Sequence, residues 1–302
     1  MLRTDRDGRA WFVTQPHHAE VAGYLAAHWG NDRFARLGRF APSPDPERLR
    51  AETVFAIAQH DNGWWEWDAT PELAAADGLP LGLRDVIRNQ QEGMNKWRLG
   101  VPRFREQHPY AALLISCHAF WLHGPRIGVG SDPAFRHPLY GKAAPARLEG
   151  MEAGVTRAFL GEIEALQAGL KARLGADAAC AAWVEPAQLD PHVRLLQLLD
   201  ALSLSLCAAV IPPLDGPARG LGEDAFDLPD VPRRSWEDRV TIVVRPQGGG
   251  RIVCAPYPFD LDPLPIAVQA RVLDARAGHT APFATRWHAH LPEPVRFEYG
   301  SV

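Results

Sequence analysis

Residues 191–210 read PHVRLLQLLDALSLSLCAAV, and the fate of this run decides the fold. It is the most hydrophobic helix the sequence predicts. Leu195–Pro212 is short for a membrane span and contains Gln197 and Asp200. Asp200 shares a helical face with Val193, Leu196, Gln197, Ser203, Leu204 and Cys207. An ionised carboxylate buried there is costly unless it is paired. A divalent cation offsets that cost. An arginine partner, or capping of a neighbouring helix, is the plainer alternative.

Three more predicted helices repeat the pattern. The first follows Pro16, which suits an opening helical position, and runs from His17 to about Trp29. His18 falls beside its stripe of Val21, Ala22 and Leu25. The second starts near Pro46 and places His60 with Thr53, Ala56 and Ile57, with Asp61 next and Gly63 as a C-terminal cap. The third follows Pro109 and aligns His118 with Ala111, Leu114, Ile115 and Leu122. Four helices therefore each put a ligand-type residue into an apolar stripe: His18 or His17, His60 with Asp61, His118, and Asp200. For His118 a ligand role and a core role weigh equally. Imidazole and carboxylate together suit iron, manganese, nickel or zinc, as one or two divalent ions.

Between these helices the sequence predicts a long amphipathic helix over 83–107, a Gly- and Pro-rich loop over 124–145, and a helix over 148–174. Long loops in compact domains are often functional. Arg84, Arg88, Lys96, Arg98, Arg103 and Arg105 read as a solvated basic face. The segment NGWWEWDATP (62–71) leaves the second helix. Trp64 is a candidate pocket wall, although Trp64, Trp65 and Trp67 read more simply as packing between helices and sheet. Glu66 and Asp68 are candidate acceptors for ligating imidazoles. After Pro212 the texture changes. A linker over 213–234 precedes strand candidates at 240–244, 251–255, 266–274 and 295–300. The expected fold is α+β: a mainly α-helical body over 1–212, then a small antiparallel sheet within 213–302 joined by an N-terminal strand at 10–14.

The chain has 302 residues and a formal charge of −4, which argues against a dedicated nucleic-acid binder. Its four cysteines form no CxxC pair, so a zinc ribbon is not expected and a reducing cytoplasm is. The N-terminus lacks the apolar core of a signal peptide. No GxSxG, P-loop or GxGxxG stands in a strand–turn–helix context. The expected partner is a small-molecule substrate, with no nucleic acid and no membrane; a homodimer is compatible.

The order of the pieces HHAEVAGYLA (17–26), AIAQHDNGW (56–64) and LLDALSLSL (198–206) resembles the HD-domain superfamily of metal-dependent phosphohydrolases. In that superfamily a first His, an HD pair and a late Asp hold a metal. The resemblance implies as ligands a first His, which its spacing to Val21 would make His17 rather than His18, with His60, Asp61 and Asp200, and Asp61 as the catalytic group. It also implies His118 as a further ligand where two metals are bound. TQPHHAEVAGYLAAHWG (14–30), AIAQHDNGWWEWDATP (56–71) and APYPF (255–259) resemble an uncharacterised bacterial domain-of-unknown-function family, number 3891. That likeness covers nearly the whole chain and favours His18 over His17, which is left as an alternative or supporting group. The implied activity is hydrolysis of a small molecule. A di-iron oxygenase and a non-catalytic HD-like binding module are the alternatives.

Overall fold

The computed structural model describes residues 1–83, 90–274 and 282–302. The chain opens on a hairpin, β1 (Leu2–Arg6) and β2 (Arg9–Val13), turned by Asp7 and Gly8 with φ of 52° and 73°. Two successive positive φ values are what a two-residue Asp-Gly hairpin turn needs. Thr14 then caps α1 (Gln15–Ala27), its side chain accepting from the His17 N–H. Asp45 caps α2 (Pro46–Ala58) in the same way through the Arg48 N–H. These two helices meet at Gly23, where a Cβ would lie 2.5 Å from that of Ala58. That close approach brings the start of α1 towards the end of α2.

A short helix α3 (Trp65–Ala69) follows the turn after α2. Next come α4 (Gln90–Gly100), α5 (Pro109–His123), α6 (Gly150–Gly175) and α7 (Pro186–Cys207). Arg84 and Arg88 lie outside the described residues. Of the remaining basic residues, Arg98 pairs with Glu162, Arg103 with Glu66 and Arg105 with Glu106, as a solvated face would. On α7 every residue from Pro191 to Cys207 is buried. A helix buried on all sides needs partners all round. Helices α1, α2 and α5 supply some of them, and a sheet supplies the rest.

That sheet corrects the expected fold. It is not a small antiparallel appendage to a mainly helical body. It is one seven-stranded mixed sheet, ordered β1-β2-β6-β7-β5-β4-β3 and curled as a half-barrel. The later strands are β3 (Phe226–Pro232), β4 (Arg239–Gly248), β5 (Arg251–Ala255), β6 (Leu264–Asp274) and β7 (Glu293–Gly300). Strands β5 and β7 run parallel, and the other pairs antiparallel. A last short helix, α8 (Phe283–Ala289), lies against β6. Along β6, Leu264, Ile266, Val268 and Ala270 are buried while Pro265, Ala267 and Gln269 are exposed. The buried face joins Leu25 of α1 and Leu202 of α7 in one core. Each such aliphatic side chain contributes about 1.5–3 kcal/mol when fully buried.

Two strands account for the misreading. Strand β1 lies before the expected N-terminal strand and was absent from the sequence reading. Strand β3 lies within the segment read as a linker, because Pro229 and Pro232 argue against a central strand. It is an edge strand with a bulge between Leu228 and Val231, where prolines are tolerated. Trp29 at the end of α1 bridges to Phe259, and the Asn31 side chain donates to the carbonyls of Tyr257 and Phe259. The APYPF segment is thereby tied to the first helix. No helix among the described residues is long and apolar enough to cross a membrane.

Candidate metal centre

Asp200 is the hub of the site. It lies midway along α7 with its side chain 7% exposed. His18 from α1 and His60 from the turn after α2 approach one carboxylate oxygen, with Nε2 at 3.2 and 3.5 Å from Oδ1. His118 from α5 and His137 approach the other, with Nε2 at 3.4 and 2.8 Å from Oδ2. Asp61 stands beside the first pair, its Oδ2 3.4 Å from His18 Nε2 and 3.8 Å from His60 Nε2.

The ring tautomers follow from the outer hydrogen bonds. His60 Nδ1 lies 2.7 Å from the Ile57 carbonyl oxygen, which can only accept, so Nδ1 carries a proton. His18 Nδ1 lies 2.7 Å from Ser203 Oγ, whose hydroxyl donates to the Asp200 carbonyl. Here too Nδ1–H donates. In their neutral forms both rings therefore aim an Nε2 lone pair inward. His18 Nε2, His60 Nε2 and Asp200 Oδ1 are buried without hydrogen-bond partners among the described residues. Together they form a group able to hold a metal ion, and His118, His137 and Asp200 form a second such group.

His137 differs from the other three. It caps a short turn at Pro138–Tyr140, where its Nδ1 accepts the Leu139 N–H at 3.0 Å. The ring proton is then on Nε2 and is donated to Asp200 Oδ2 at 2.8 Å. His137 thus holds the carboxylate in place, with Oδ1 turned towards His18 and His60.

Charge follows the geometry. Burial alone would raise the Asp200 carboxyl, but the surrounding imidazoles hold it well below its ordinary range. Burial opposes charge on His18, yet Asp200 and Asp61 bring it up to about 9 in the metal-free protein. His60 is also raised, by Asp61 and Asp200 against burial. Burial dominates at His118 and lowers it to about 4, so its ring is neutral and available as a ligand. A cation between His18, His60 and Asp200 would replace protons that these rings otherwise take up.

The expected residues His18, His60, Asp61, His118 and Asp200 come together in this way. Three others are placed elsewhere. His17 follows the helical turn to the opposite side and lines a surface recess with Glu20 and Pro265. Glu66 points outward and pairs with Arg103 at 2.8 Å. Asp68 accepts the Gln15 N–H at 2.6 Å, holding the start of α1 rather than an imidazole. Gly63 is not a helix cap, since α2 ends at Ala58. Its role is close approach: a Cβ there would meet the Lys96 carbonyl oxygen on α4. Trp64 lines the cavity as expected of a pocket wall, whereas Trp65 lies under Arg103 and Trp67 under Lys96. The sequence reading missed His137. The available signal was a histidine directly before Pro138 inside the long loop over 124–145, of a kind that is often functional or mobile.

The centre opens into a cavity of about 350 Å³. Its walls include Trp64, Trp97, Leu122, Leu139 and Leu204, with His18, Asp61, His118 and Asp200 at the metal end. Such a cavity is at the small end of ligand pockets, typically ~300–1,000 Å³. No curated protein and no solved structure matches the chain. A family profile does, over residues 1–275. The chain belongs to the protein family of unknown function DUF3891.

Proposed function

We propose that this protein is a metal-dependent hydrolase of HD type that acts on a small phosphorylated molecule. One observation carries the reading: His18 Nε2, His60 Nε2 and Asp200 Oδ1 converge, buried and without partners among the described residues. In the neutral rings these atoms are unpaired, and either a ring proton or a cation must stand between them; a cation satisfies all three at once. Nitrogen and carboxylate donors suit iron, manganese, nickel or zinc. The order of ligands along the chain, His18, His60 with Asp61, then Asp200, matches the HD superfamily.

A divalent metal held there supplies Lewis acidity and a nucleophilic water at neutral pH. The chain's own residues do the rest. Asp61 lies at the cavity side of the two histidines and is the group to orient the attacking water and accept its proton. His137 fixes the Asp200 carboxylate, and Ser203 and the Ile57 carbonyl fix the two rings. The apolar walls limit competing water around the reacting bond.

The His137 tautomer supports a single-ion centre over a di-iron oxygenase. A second ion between His118 and His137 would need the His137 Nε2 lone pair, which carries the proton given to Asp200. The direct test is turnover of 4-nitrophenyl phosphate by the metal-reconstituted protein, beside Asp61→Asn. Metal-dependent release of nitrophenolate, at least a hundredfold slower in the variant, supports the reading. Equal rates in the two proteins contradict it. Bound metal with oxygen consumption and no hydrolysis would favour the oxygenase instead.

A further inference from the structure

The far end of the cavity carries a charge that the metal chemistry does not use. Arg126 lines it, just beyond α5 in the short turn Gly124–Ile127. Eight residues separate it from His118 on the same helical path. At 1.5 Å per residue, the Arg126 Cα lies roughly 12 Å further along. Its backbone is held, since the Arg126 carbonyl accepts the Leu148 N–H at 2.8 Å. Its guanidinium has no carboxylate or hydrogen-bond partner among the described residues, unlike Arg98 and Arg103 nearby in sequence, which are both paired. Gln15 and His123 also line the cavity, and each has a buried side-chain atom without a partner, Oε1 and Nδ1. Among the described lining residues, Arg126 is the one arginine or lysine.

We propose that Arg126 is an anion-holding residue and that the substrate is bound at two points. Resting on the hydrolase reading, the substrate is a small molecule with an apolar body. It is cleaved at the metal end and carries one oxyanion, a carboxylate or a phosphate, at the other. The wall chemistry fixes the middle of the molecule: Trp64, Trp97, Leu122 and Leu139 favour an aromatic or branched hydrocarbon body. A guanidinium suits an oxyanion because its planar fork can make two parallel hydrogen bonds. A polyphosphate chain would meet one such cation and a largely apolar wall, so nucleoside triphosphates fit poorly.

The test is titration calorimetry on the full chain, metal-free and metal-loaded, with three probes: 3-phenylpropionate, 2-phenylethyl phosphate and the uncharged 3-phenylpropanamide. Wild type is compared with Arg126→Gln and Arg126→Lys. The expected result is that one or both anions bind the metal-free wild type at least tenfold more tightly than the amide. Arg126→Gln loses that preference, and Arg126→Lys keeps part of it with unchanged metal content. The arm that binds more tightly distinguishes carboxylate from phosphate. Anion binding that needs the metal but not Arg126 would overturn the inference while leaving the hydrolase reading intact. Arg126-dependent binding in a protein that takes up no metal would do the reverse. Failure of all three probes to bind would overturn the two-point site.

Discussion

Among the buried polar residues of helix α7, His192 and Asp200 stand eight residues apart, and only the centre at Asp200 has atoms to spare. At His192 both ring nitrogens are used. Nε2 accepts the Gly38 N–H at 3.0 Å, and Nδ1 meets the Tyr110 hydroxyl at 2.6 Å. Burial keeps this ring neutral, lowering it to about 3. At Asp200, by contrast, two neutral histidines would present ring nitrogens without a hydrogen-bond partner among the described residues. Both centres are equally buried and both include histidine. The difference is that neutral His192 is complete within the chain, whereas His18, His60 and Asp200 form a group that could hold a metal ion and otherwise needs a proton between its atoms. Burial of a histidine is therefore no sign of a ligand; an inward lone pair without a partner is.

The largest expected effect that separates the two centres is on stability. His192→Ala leaves a cavity and an unpaired Gly38 N–H, a loss of about 3–5 kcal/mol. Chemical denaturation with and without a chelator checks this. The variant is expected to remain sensitive to chelation, because its metal centre is untouched. His60→Ala should lose that sensitivity. If chelation destabilises both variants alike, the contrast between the centres fails.

The next effect is on metal affinity alone. His137→Phe removes the hydrogen bond that orients Asp200, and outer partners of this kind are worth about ten- to a hundredfold in affinity. Competition against a chromophoric chelator measures it. A loss as complete as that of His60→Ala would make His137 a ligand and restore the two-ion reading.

The smallest effect is on pH dependence, and the two centres have opposite signs. His192 has a folded pKa far below its ordinary 6.5, so its contribution is present above that pH and is lost as pH falls towards about 3. His18 in the metal-free protein is raised to about 9, so its contribution is present below 6.5 and is lost as pH rises through about 9. Bound metal takes the place of the His18 proton, so it should abolish the alkaline loss and add to the acid one, because protons then compete with the ion for the ring. Unfolding midpoints from pH 4 to 10, with and without metal, would show whether metal flattens the alkaline limb and steepens the acid one.

Most of the candidate centre was legible because its residues sit on helices or, for His60 and Asp61, in the turn directly after one. His18, His60, His118 and Asp200 each interrupt an apolar stripe, and helical periodicity places them inward. His137 sits in an irregular loop, where no periodicity marks an inward position, and it was missed. Glu66 and Asp68 were drawn to the site by nearness in sequence, but the turn at Asn62–Trp64 and the short helix after it carry them to other partners. The sheet was underestimated for a related reason. Asp7-Gly8 is a strong hairpin signal, yet it lies in a charged stretch at the start of the chain. The prolines of β3 concealed an edge strand. A helix as apolar as 191–210 was itself evidence for more covering structure than helices alone provide.

In the proposed centre three buried atoms take one metal ion. Elemental analysis of the purified wild-type protein, reconstituted and desalted beside His60→Ala, tests it most directly. The expected result is close to one transition-metal ion per wild-type chain and loss of that ion in the variant. Equal metal in both proteins, or none in the wild type after reconstitution, would contradict it.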